Sequence, residues 1–264
     1  MHIVPFVEGA ENRMKRLTKA FEGCDALDQI ITNSITSREF IAAASSAARV
    51  AISTLFAKGS KSFNAVRILA AFGYGEDALI VTRSLLNLSF VAGYICAKNG
   101  NPEERATAWI VNGYLSQKTF IEKNLCSQLP QNLANTIDWE KVRRYTQNDK
   151  KKAKHMQVDL WPKKIVDLAK GAGMEELYQA YSFISSPEHS DAWAMSTYMQ
   201  AWDETGLHIN MDPSDDRVQL SLEIAAHSMA NVFVKFCDKF QIAYPVEQIA
   251  RVGSYFHDKR QATK

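Results

Sequence analysis

The chain has 264 residues, 46% hydrophobic and 23% charged, with a formal net charge of +2 at pH 7, the composition of an ordinary soluble globular protein able to bury a sizeable core. Cys24, Cys96, Cys126 and Cys237 stand far apart with no Cys-x-x-Cys or Cys/His spacing. This excludes a recognisable zinc cluster or disulfide framework and fits a reducing, cytoplasmic setting.

Taken in chain order, Met1 to Glu8 lacks the basic-then-apolar order of a signal peptide and runs into a charged, helix-like segment. From there apolar residues recur at three- and four-residue spacing nearly throughout, which predicts an all-α fold. Leu17, Phe21, Leu27, Ile30 and Ile31 give a first helix. Thr36-Ser-Arg-Glu39 has the capping-box pattern and opens an Ala-rich helix through Phe40, Ala48, Val50 and Leu55. Lys58-Gly-Ser-Lys-Ser62 is expected to break or bend it, and a third element then runs from Phe63 to Phe72. Gly73-Tyr-Gly75 reads as a stop and turn, after which Glu76 places an acid in the first turn of the next helix. Asn99-Gly-Asn-Pro102 ends that helix, and Pro102-Glu-Glu leads another to about Cys126.

The segment after Pro130 is helical but polar. A short amphipathic helix begins near Trp161-Pro162, Gly171-Ala-Gly173 divides it from another over Met174 to Ile184, and Pro187 closes that one. Asp203 to Asp212 reads as loop with a little strand. Asp212-Pro213-Ser214 is expected to open the longest clean helix, with Val218, Leu222, Ala225, Met229, Val232, Phe233 and Phe236 on its apolar stripe, and a last helix follows Pro245. Together these predict one domain over residues 1–264, an all-α bundle of about eight to ten helices.

Charge is unevenly spread. Between Glu140 and His155, Lys141, Arg143, Arg144, Lys150, Lys151, Lys152 and Lys154 stand against only Glu140 and Asp149. Read blandly, this is a solvated loop near residues 140–160. Read functionally, Lys141 to Lys154 gather nucleic acid or another phosphate-bearing ligand.

The most unusual residue is Arg83, in the middle of the most apolar stretch, Ala78 to Ala97. A guanidinium among apolar neighbours costs several kcal/mol unless an acceptor matches it, so a partner is expected elsewhere in the fold. The stretch is about long enough to cross a membrane, but the arginine alone would cost about 2.5–3.5 kcal/mol there, and a core helix with no membrane partner is the expectation. Glu76, Arg83 and Asn87 follow at two turns and one turn, which places them on nearly one helix face, shared with Ile80. Such a face either floors a polar pocket or ties helices together.

A second cluster lies in Tyr181-Ser-Phe-Ile-Ser185-Ser-Pro-Glu-His189. Tyr181, Ser185, and Glu188 or His189 fall at one-turn steps, and an imidazole there could serve as acid, base or ligand, or simply cap the helix.

These two stretches carry a resemblance. Gly73-Tyr-Gly-Glu76-Asp-Ala-Leu-Ile-Val-Thr-Arg83-Ser-Leu-Leu-Asn87, followed by Trp161-Pro-Lys and by Tyr178-Gln-Ala-Tyr181-Ser-Phe-Ile-Ser185-Ser-Pro-Glu-His189-Ser, resembles domain-of-unknown-function family 5677. That is a set of mostly bacterial helical proteins, and the similarity runs from Phe40 to Tyr198. The resemblance implies a helical fold and singles out Glu76, Arg83, Tyr181, Ser185 and His189. Asn87 stands where the family usually has Glu, and Ser190-Asp191 replaces Pro-Ser, which weakens any two-carboxylate metal site.

Two functions are compatible with these residues. In one, the Arg83 and His189 cluster is a cradle for an anionic ligand or a partner, with Glu76, Asn87, Tyr181, Ser185 and Glu188 around it, and no cofactor is implied. In the other, the protein is a metal-independent nuclease or related hydrolase of the prokaryotic toxin or phage-defence type, with Arg83 neutralising a phosphate and His189 moving a proton. The spacing Arg251 to His257 resembles that of small helical ribonucleases, but apolar Val252 follows the arginine where a polar residue is usual. Glu188, His189 and Asp191 are adjacent rather than one turn apart, and there is no His-Glu-x-x-His, so no metal site is expected. Phosphate-cradling glycine loops and a serine-hydrolase elbow are absent too. The sequence leaves self-association open.

Overall fold

The three-and-four spacing of apolar residues becomes helix over nearly all of what the computed structural model describes, residues 3–35, 46–110, 112–113, 161–162, 164–185, 199–203, 206–209 and 212–257. In chain order the helices are α1 (Ile3–Arg16), α2 (Thr18–Ile35), α3 (Ala47–Phe72), α4 (Gly75–Cys96), α5 (Ile165–Ala172), α6 (Glu175–Phe183), α7 (Val218–Phe240), α8 (Val246–Val252) and α9 (Ser254–His257). Residues 102–110 are helical as well. There is one antiparallel hairpin, β1 (Met199–Asp203) with β2 (Gly206–Ile209); β2 falls in the stretch where a little strand is expected, and β1 precedes it. The architecture is the predicted all-α bundle.

Helices α3, α4 and α7 pack on one another at the centre, with α5 on α4, α2 on α7 and α1 on α3. Helix α4 is apolar on most of its circumference, and Ala78, Leu79, Leu85, Leu86, Phe90, Ala92 and Ile95 have no exposed surface. A helix apolar all round is stable only when neighbours cover it. By length and composition α4 could cross a membrane. Helices α3, α5 and α7 pack on it.

On α7 the predicted stripe is buried in full, from Val218 and Leu222 to Phe236. Each such side chain contributes about 1.5–3 kcal/mol on leaving water. Phe56 of α3 stacks on Phe236 at 4.3 Å between ring centroids. Cys24 ties α2 to α7 through a weak thiol contact to the Leu222 carbonyl at 3.9 Å, and burial pushes its thiol up to about 12. Cys24, Cys96 and Cys237 are free thiols, and Cys126 lies outside the described residues.

The turns are built where the sequence places them. Gly73 ends α3 in the left-handed region, at φ 84°, and its N–H and that of Tyr74 return to the carbonyls of Ala70 and Leu69. Gly173 ends α5 in the same way at φ 69°. Asn101 caps the helical stretch at 102–110, its Oδ1 accepting from the Glu103 N–H at 3.0 Å.

Two expectations are corrected. Lys58-Gly-Ser-Lys-Ser62 does not interrupt α3, which runs unbroken for 26 residues and is longer than α7 at 23. Lys58 and Lys61 face solvent while Gly59 is buried, where a Cβ would press on Met229 Sδ at 3.3 Å and Leu85 Cδ1 at 3.5 Å. Asp212-Pro213-Ser214 does not open α7 either, since the helix starts at Val218. Its polar groups are used in the connection: the Ser214 N–H donates to the Gly73 carbonyl at 3.0 Å, and Ser214 Oγ accepts from the Asp216 N–H at 3.2 Å. The α3 capping box at residues 36–39 lies outside the described residues, and Ser46 caps α3 instead, its side chain accepting from the Arg49 N–H.

Candidate functional site

Helix α4 presents Glu76, Arg83 and Asn87 on one face, as the two-turn and one-turn spacing requires. Arg83 is half-buried, and its guanidinium carbon lies 4.8 Å from the centroid of the Tyr181 ring. The guanidinium on the most apolar helix is thus brought to a residue far along the chain.

What places Tyr181 there is the turn between α5 and α6. Gly93 lets α5 lie close on α4, because a Cβ at that position would strike Ala172 Cβ at 2.8 Å and Met174 Cε at 2.9 Å. With α5 seated and Gly173 reversing the chain, α6 returns toward the Arg83 face. Tyr181 is buried, edge-on to Phe90 of α4 at 6.1 Å and stacked on Tyr178 at 5.7 Å. The Ser185 hydroxyl donates to the Tyr181 carbonyl at 2.7 Å, one turn back, and so closes the end of α6.

Asn87 sits one turn beyond Arg83, half-buried, and its Oδ1 is buried without a hydrogen-bond partner among the described residues. A buried acceptor left so costs about 1–3 kcal/mol. Glu76 lies two turns before Arg83, next to the segment that leads into α7. Burial pushes its carboxyl above the usual range, against its own backbone hydrogen bond and the positive charge of Arg217, with Asp216 and Asp77 adding to the rise.

Arg217 is a member of this neighbourhood that sequence reasoning missed. It stands at the N-cap of α7 with φ 59°, in the left-handed region that a non-glycine residue rarely adopts. Its guanidinium carbon is 5.7 Å from the ring centroid of Phe183, two residues beyond Tyr181. The chain enters α7 so close to α4 that a Cβ at Gly75 would meet the Asp216 carbonyl oxygen. The lone signal was Arg217 directly before the first apolar residue of α7, and that signal is lost if the helix is started at Pro213.

Arg13 was missed as well, and its role is structural. It is only 6% exposed, its Nε donates to Asp215 Oδ1 at 2.7 Å, and its Nη1 donates to the Ala71 carbonyl at 3.0 Å. Arg16 adds a second contact to Asp215 at 2.8 Å. Burial of Asp215 is outweighed by the hydrogen bonds and charges of Arg16 and Arg13, and its carboxyl is held below the usual range. Arg13 thus staples α1 to the end of α3 and to the segment before α7.

The structure therefore brings Arg83 to Tyr181, hydrogen-bonds Ser185 to Tyr181, and places Glu76 and Asn87 on the Arg83 helix. Glu188, His189 and the basic run Lys141 to Lys154 lie outside the described residues. Among the described residues no group of three or more His, Cys, Asp or Glu side chains could hold a metal ion.

The model of a family of unknown function, DUF5677, matches residues 49–206. No curated protein and no solved structure matches the chain.

Proposed function

The chain belongs to the family of unknown function DUF5677, a membership that names no chemistry, and from the side chains themselves we propose that it binds an anionic ligand at the Arg83 face of α4. The observation that carries this reading is the Arg83 guanidinium over the Tyr181 ring at 4.8 Å. A guanidinium carries its N–H donors in a planar fork that fits two oxygens of a carboxylate or phosphate. The Tyr181 ring packs on Phe90 and Tyr178, so the surface beside the guanidinium is built in advance, which lowers the ordering cost of binding.

Asn87 and Arg217 support the same reading. The buried Asn87 Oδ1 gives a ligand hydroxyl or N–H an acceptor in a dry setting, where a matched hydrogen bond discriminates strongly. Arg217, resting on Phe183, adds a second cation to the same end of α6.

The test is thermal unfolding of wild-type and Arg83→Gln protein, with and without orthophosphate at constant ionic strength. Phosphate is expected to raise the wild-type melting temperature and leave the variant's unchanged, and the variant alone should melt within about 4 °C of wild type. A fall of more than about 10 °C in Arg83→Gln, with no phosphate response in either protein, identifies an internal staple instead. Labelled RNA incubated with wild type and His189→Ala completes the comparison: cleavage by wild type alone would assign hydrolysis rather than binding.

A further inference from the structure

Three helix ends converge on a second cleft, of about 600 Å³, away from the Arg83 face. Its charged lining is four lysines, Lys98, Lys170, Lys235 and Lys239, against Asp238. Cys96, in the same lining, ends α4, and Arg83 lies about 20 Å back along that helix.

Three of these lysines, taken singly, have an ordinary explanation. Lys170 is in the last turn of α5, Lys239 in the last turn of α7, and Lys98 just past the end of α4, where positive charge complements the helix dipole. Their convergence around open volume is what such capping does not require. Lys239 is held by Glu103 at 3.2 Å, and Glu103 in turn accepts the Ala48 N–H at the start of α3. Among the described residues no carboxylate pairs with Lys98, Lys170 or Lys235. A concave wall carrying one sign of charge focuses its field and concentrates counter-ions.

The lining also limits the ligand. Among the described residues it contains no aromatic ring and no arginine, so none of them offers a base a stacking surface or a carboxylate a planar fork. Separate ammonium groups are point charges, suited to several phosphates spread over a volume far larger than one phosphate. We propose that this cleft binds a small soluble molecule carrying several phosphates, gripped by Lys98, Lys170 and Lys235, independently of the Arg83 face.

Cys96 supplies a local reporter. Burial pushes its thiol above the ordinary range, while Lys235 and Lys239 pull it back. A bound polyanion cancels that pull, so alkylation of Cys96 should slow when the cleft is filled.

Calorimetric titration of the full chain with sodium tripolyphosphate at low salt tests the proposal. Binding to wild type is expected, weakened about tenfold or more in Lys170→Gln/Lys235→Gln and retained in the matching double arginine variant. Arg83→Gln should keep the binding event that the double glutamine variant loses, and in both wild type and Arg83→Gln tripolyphosphate should protect Cys96 from iodoacetamide, read on its own peptide by mass spectrometry. No binding to wild type, or equal affinity in the double glutamine variant, would overturn the proposal. Loss in Arg83→Gln alone would overturn it too and move the ligand to the Arg83 face.

Discussion

Glu76 shows how one position mixes stability with function. Its carboxyl titrates above the usual range chiefly because burial disfavours the charge. The folded chain therefore holds this proton more tightly than the unfolded chain, and the stability it contributes falls as pH rises through the window just above the ordinary carboxylate value. Asp215 has the opposite sign, its contribution being lost as pH falls through its depressed value. Glu76→Gln should therefore gain stability relative to wild type as pH rises from about 4.5 to 7, the difference appearing in urea midpoints at each pH. Midpoints of the two proteins that run parallel over that range would show that Glu76 is not desolvated. At this scale the sequence was informative where a residue is odd on its own terms, as Arg83 is. Arg13 was invisible, because in a charged first helix nothing marks an arginine as special until the fold packs around it, and the signal of Arg217 was lost by starting α7 at Pro213.

Helix α3 shows what pattern reading captures and what it misses. Gly73 and Gly173 were legible because a glycine after an apolar run has a direct backbone meaning, and the α7 stripe was legible because its spacing is unbroken. Lys58-Gly-Ser-Lys-Ser62 was misread because exposed lysines around an inward glycine look like a loop in one dimension. In three dimensions Gly59 is the point where α3 lies against α4 and α7, next to Leu85 and Met229. Gly59→Leu should cost about 1–3 kcal/mol through overpacking, whereas Lys61→Ala, on the exposed face, should stay within about 0.5 kcal/mol. Chemical denaturation of both variants checks this. Equal midpoints would mean that α3 bends away from α4 at that turn.

Across the whole molecule, the bundle is assembled so that a helix stop far from Arg83 decides what Arg83 meets. Gly93 admits α5, Gly173 reverses the chain, and α6 carries Tyr181 back to α4. The sequence singled out both Arg83 and Tyr181, but the group it set against Arg83 was His189, which lies outside the described residues. The lysine cleft was not foreseen, since its residues come from three helix ends widely separated in the chain. No local pattern marks a convergence of that kind.

The central claim is that Arg83, held on Tyr181, receives an anion, and the side chain itself can report on it. Proton–nitrogen spectra of the arginine Nε groups, with the Arg83 signal assigned by its loss in Arg83→Lys, can be followed while orthophosphate is added. The account predicts that the Arg83 resonance moves saturably and further than those of Arg13 and Arg105, which lie away from the Tyr181 ring, Arg13 on Asp215 and Arg105 on the Tyr94 carbonyl. An Arg83 resonance that stays fixed while other arginines shift would contradict it.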